Sequence, residues 1–115
     1  MPKKNAKVTD ITTRMEWDCD VVNCDELAVV VFYSKESKPS IEMVNRINDV
    51  ACEVKNGARF FSVDIDRHPN IIWNFRVSII PTVMFFQQGQ KLYENITLKD
   101  ASVIQEAIEP YLAAA

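Results

Sequence analysis

Only two glycines, Gly57 and Gly89, occur in the 115 residues, and only one histidine, His68. No Gly-x-Ser-x-Gly segment is present, and an activated serine would have a single imidazole to draw on, so hydrolysis by a serine nucleophile fits poorly. Three cysteines, Cys19, Cys24 and Cys52, make no Cys-x-x-Cys and are odd in number. They read as small apolar residues, with Cys19 and Cys24 as a weakly signalled redox pair. His68 lies far along the sequence from them, so a zinc site lacks ligands. Basic excess is also missing: 13 basic residues face 16 acidic ones, a net charge of −3, and no footprint for nucleic acid appears. No run approaches the ~20 apolar residues that a membrane-crossing helix needs. The basic start, Met1 to Lys7, has no apolar stretch of the kind a secretory signal carries. These absences lead us to expect a soluble cytoplasmic protein with no cofactor and no metal, partnered by neither nucleic acid nor membrane. Asn95-Ile96-Thr97 matches the glycosylation pattern but carries no meaning in such a compartment.

What is present is the material of one core. A 48% hydrophobic share with 25% charged residues is ordinary for a folded domain. Residues 1–6 read as a flexible N-terminal tail and residues 7–115 as one domain. Ala28 to Tyr33 is an unbroken apolar run, rich in β-branched and aromatic residues, and predicts a strand buried on both faces. After a short polar loop, Ser37 is placed to cap a helix with Pro39 in its first turn. Met43, Val44, Ile47, Val50, Ala51 and Val54 then recur at helical spacing.

Further elements follow by the same reasoning. Lys7 to Ile11 predicts a short edge strand. Thr13 and Glu16 predict a capping box, opening a helix with Met15, Cys19 and Val22 on one side and Trp17 beside them. Asn56-Gly57 should close the second helix. Arg59 to Ile65 predicts a buried strand, and Pro69 to Val77 a helix of about two turns, with His68 facing solvent before it. Thr82 to Gln87 predicts a strand, and Gln88-Gly89-Gln90 a hairpin turn into an edge strand, Lys91 to Ile96. Asp100 should cap a last helix striped by Val103, Ile104, Ala107, Ile108, Tyr111 and Leu112, with Pro110 inside it kinking or fraying the final turn. The order β-α-β-α-β-α-β-β-α predicts an α/β fold: a central mixed sheet of four to five strands with helices on both faces.

The segment Phe32-Tyr33-Ser34-Lys35-Glu36-Ser37-Lys38-Pro39-Ser40 resembles the thioredoxin active-site segment, aromatic-aromatic-Ala-x-Trp-Cys-Gly-Pro-Cys, with serine at both cysteine positions. Val63-Asp64-Ile65-Asp66 with Pro69 is similar to the family's third strand. Ile79-Ile80-Pro81-Thr82 is similar to the segment that holds its cis-proline, and Val83 to Gly89 to the strand and turn after it. The resemblance covers nearly the whole chain and implies the thioredoxin fold, with Ile80–Pro81 cis.

It also implies a lost activity. Dithiol exchange requires a thiolate and a second, resolving thiol, and a serine hydroxyl supplies neither. The family's buried aspartate matches Val31 here, its lysine partner Ser62, the tryptophan before the motif Glu36, and the glycine before the Ile-Pro pair Ile79. The resemblance therefore implies a redox-inactive protein whose degenerate loop, Glu36, Ser37, Lys38, Pro39 and Ser40, joins Ile79, Ile80, Pro81 and Ile96 in a protein-binding face. The expected role is a non-catalytic subunit held by protein partners in a larger assembly, such as an axonemal dynein-type complex, in the cytoplasm or at the cytoskeleton or cilium. The alternative is a thioredoxin-type oxidoreductase whose activity has moved to Cys19, Cys24 or Cys52.

Overall fold

The computed structural model describes residues 8–54, 57–72, 77, 79–95 and 101–113. The predicted tail, Asn56, Trp73, Phe75, Ile96, Thr97 and Asp100 lie outside the described residues. Five strands form one sheet in the order β1-β3-β2-β4-β5: β1 Val8–Asp10, β2 Leu27–Tyr33, β3 Ala58–Asp64, β4 Thr82–Gln87 and β5 Gln90–Asn95. The first three run parallel, and β4 and β5 are antiparallel additions beyond β2.

β2 is the centre, and all seven of its residues are buried. Its side chains alternate between the two faces, as the strand period requires. Leu27, Val29, Val31 and Tyr33 join Met43, Ile47, Val50 and Ala51 of helix α2 (Lys38–Glu53) and Ile104 and Ile108 of helix α4 (Ala101–Ala113). Ala28, Val30 and Phe32 join Trp17 and Val21 of the first helix, Ile71 of α3 (Pro69–Ile72), and Phe61, Val63, Met84 and Phe86. Helices thus cover both faces, as the element order predicts. α4 continues through Pro110 to Ala113, with Val103 exposed instead of on the buried stripe.

The first helix, α1, departs most from expectation. It begins as Arg14–Glu16 and widens into a π-helical stretch, Trp17–Val22. Trp17 and Val21 face the core, while Met15 and Cys19 are exposed and Val22 is half-buried. The physical reason is the indole, the largest apolar group available. It packs edge-on to Phe86 with centroids 5.4 Å apart and tilted to Phe32 at 6.1 Å, and the helix turns to put it there. The capping box is half formed. Thr13 Oγ1 accepts the Glu16 N–H at 3.0 Å, but Glu16 reaches past Thr13 to the N–H and hydroxyl of Thr12. Those bonds hold the Glu16 carboxyl below its ordinary pKa, the Thr12 N–H contributing most.

Candidate functional site at the carboxyl end of the central strand

Strand pairing brings the site residues to one end of the sheet. Tyr33 lies opposite Asp64, the last residue of β3, and Phe32 lies opposite Thr82, the first of β4. The loop after β2, the turn after β3 and the segment Ile79–Pro81 therefore converge there. Ligands commonly bind at such strand ends in α/β sheets.

Hydrogen bonds tie the loop to the turn. Ser34 is buried, its hydroxyl donating to Asp66 Oδ2 and accepting the Glu36 N–H at 3.1 Å. The Ser37 N–H reaches the Ser34 carbonyl at 3.1 Å, and the Ile65 N–H the Tyr33 carbonyl at 2.9 Å. Asp64 Oδ1 accepts the N–H groups of Asp66 and Arg67 at 3.1 and 3.3 Å, which shapes the turn. No sequence pattern marks Ser34 and Asp66 as partners; only the pairing of β2 with β3 joins them.

Ser37 has extended backbone and caps α2, its Oγ accepting the Ser40 N–H at 3.2 Å. Pro39 occupies the first turn, where its missing N–H leaves no bond unmade. Lys35, Glu36, Lys38 and Pro39 are exposed, as expected of that loop. Ser40 is fully buried, and its hydroxyl has no hydrogen-bond partner among the described residues. On the facing segment, the Ile80–Pro81 bond is cis. Ile79 is 55% exposed, Ile80 half-buried and Pro81 buried. The Thr82 hydroxyl donates to the Ile79 carbonyl. A carbonyl has a second lone pair, so an acceptor site remains.

Under the loop, Val31 is wholly buried and lies opposite Ser62 and Val83 in the ladders. Ser62 donates to Asp10 Oδ1 at 2.7 Å. Burial, with the carboxylates of Asp10 and Asp64 close by, pushes the Tyr33 hydroxyl up to about 12. This Asp10–Ser62–Tyr33 group was not foreseen; its only trace in the sequence is polar residues at the ends of three strands. The loop and turn offer the hydroxyls of Ser34, Ser37 and Ser40 and the carboxylates of Asp64 and Asp66. Cys24 is buried, and Cys19 and Cys52 are exposed. Among the described residues, no three of His, Cys, Asp and Glu gather closely enough to hold a metal ion, and no helix is long and apolar enough to cross a membrane.

A family model described as Thioredoxin matches residues 8–110. The chain belongs to the thioredoxin family. It is 27% identical over 101 residues to a bifunctional thioredoxin reductase/thioredoxin of Mycobacterium leprae, spanning 88% of this chain and 22% of that one. It is 24% identical to thioredoxin-2 of Saccharomyces cerevisiae, over 85% of this chain and 93% of that one. Of the M-type chloroplast thioredoxin of Pisum sativum it spans 56%, so several of its relatives are much longer proteins. A solved structure of a mutant thioredoxin from Halobacterium salinarum superposes with a TM-score of 0.81 at 20% identity, covering 94% of this chain and 93% of the other. That likeness carries the thioredoxin fold.

Proposed function

We propose that this thioredoxin-family chain is redox-inactive and serves as a protein-binding subunit of a larger assembly, of which an axonemal dynein-type complex is one example. The observation that carries the reading is the pair of serines at the start of α2. Ser37 spends its oxygen on capping the helix, and Ser40 is buried without a partner among the described residues. A helix N-terminus stabilises a thiolate, but a hydroxyl there does no disulfide exchange. Val31 and Ser62 support the same reading, because neither can move a proton to or from a buried sulfur at that depth.

The binding part of the reading rests on Ile79. A large apolar side chain more than half exposed beside Pro81 offers area worth about 25 cal/mol per Å² removed from water. An extended segment laid along Ile79 and Ile80 would add main-chain bonds, as in strand addition. The face comprises Glu36 to Pro39 with Ile79 and Ile80, while Ser40 and Pro81, expected on it, are buried beneath it; Ile96 belongs to the proposal by sequence alone.

The test is quantitative recovery of the partner from the source cell by immobilised protein. Ile79→Asp should reduce it at least about tenfold while unfolding stability changes by less than ~0.5 kcal/mol, as is usual for a surface change. Reversal of charge at exposed Glu106 on α4 should leave recovery unchanged. Full recovery by Ile79→Asp, with loss at Glu106, would move the partner to the other face. The rival reading, thiol activity displaced to Cys19, Cys24 or Cys52, has exposure of Cys19 and Cys52 in its favour. It requires an acidic, reactive thiol, which thiol titration against pH would reveal.

A further inference from the structure

Outside that face lies a pocket of about 290 Å³, lined by Thr12, Thr13 and Arg14 from the start of α1 and by Arg67 to Ile71 from the turn into α3. His68, expected to face solvent, is half-buried in its wall. Two elements far apart in sequence thus bring Arg14, Arg67 and the chain's one histidine to the wall of one concavity, in a protein whose net charge is −3.

The opposing carboxylates are accounted for one by one. Glu16 lies close enough to feel the His68 charge, but its oxygen is engaged by the Thr12 N–H and hydroxyl. Asp18 stands 3.7 Å from Arg14 Nε in an exposed pair, a contact worth little and easily exchanged. Asp64 is turned to the N–H groups of Asp66 and Arg67. Arg67 is exposed and has no carboxylate within ion-pair distance among the described residues. Thr13 Oγ1 accepts from the Glu16 N–H, which leaves its own proton free to donate. Exposed Pro69 supplies an apolar surface beside these donors, with Ile71 buried behind it.

We propose that this pocket binds a small phosphomonoester. Arg14 and Arg67 grip the phosphate oxygens by charge-assisted bonds, as guanidinium forks do. Thr13 donates a further bond, and the organic part of the ligand lies against Pro69. No step of the proposed partner binding uses these residues, so the two readings stand or fall separately.

The test is a titration of the ¹⁵N-labelled full chain with phenyl phosphate, followed by amide chemical shifts at fixed ionic strength. Saturable shifts are expected at Thr12 to Arg14 and at Arg67, His68, Asn70 and Ile71, with inorganic phosphate moving the same amides more weakly. Arg67→Gln should weaken binding roughly tenfold, as loss of one charge-assisted contact does. Arg14→Gln should act in the same direction, and thermal unfolding of both variants should match the parent because both side chains reach solvent. Absence of saturation, shifts centred elsewhere, or an Arg67→Gln chain that binds like the parent would overturn the proposal.

Discussion

Ser37 and Ser40 sit three residues apart and do opposite things for stability. Ser37 satisfies a helix N–H that would otherwise go unpaired, so Ser37→Ala should cost about 1 kcal/mol in urea unfolding. Ser40 is fully buried with a hydroxyl unpartnered among the described residues, and burying such a group is unfavourable. Ser40→Ala should therefore leave stability unchanged or raise it, by up to about 1 kcal/mol. A loss at Ser40 as large as that at Ser37 would show that the hydroxyl is bonded after all. Tyr33 offers a second check. Its hydroxyl is held neutral by burial and by nearby carboxylates, so its folded pKa lies above the unfolded value of 10.0. The stability this gives is fully present below pH 10 and is lost as pH rises toward about 12. Phenolate absorbance should show one tyrosine titrating last, and Tyr33→Phe should remove that component and flatten the alkaline fall in stability. These residue-level roles were only half legible. The cap follows from Ser37-x-Pro39, but the company of Tyr33 depends on which strand lies beside β2, and that is not written in any short stretch.

At the scale of elements, the strands were the readable part. Six apolar residues from Ala28 to Tyr33 admit one environment, a position between two covered faces, and that is where β2 lies. The hairpin follows from Gln88-Gly89, which takes positive φ at both residues (52° and 84°) and so twists with its strands. α2 and α4 were legible from their stripes, apart from Val103, which is exposed. α1 was not. Counting Met15, Cys19 and Val22 at helical spacing treated one aromatic as a bystander, whereas a buried indole outweighs three smaller groups. Trp17→Ala should accordingly cost about 3–5 kcal/mol, against little for Met15→Ala, whose side chain is exposed. Equal effects of the two substitutions would restore the stripe read from spacing.

For the whole molecule, the fold and the groups that disulfide chemistry needs are separate requirements. Burial on both faces of β2 needs only apolar alternation and two helical covers, and every one of those is retained. Disulfide chemistry needs a few particular groups at the end of the same strand, where Ser37, Ser40, Val31 and Ser62 now stand. This is why the fold was almost wholly readable from the chain, while the proposed partner-binding face was readable only as a place. The most direct measurement is turnover of a protein disulfide by the wild-type chain in the presence of a thiol reductant, beside the Ser37→Cys/Ser40→Cys double variant. The wild type should not exceed the reductant alone, and the double variant should regain little, because Val31 and Ser62 leave its thiols without a proton relay. Turnover by the wild type above that background would contradict the redox-inactive reading outright.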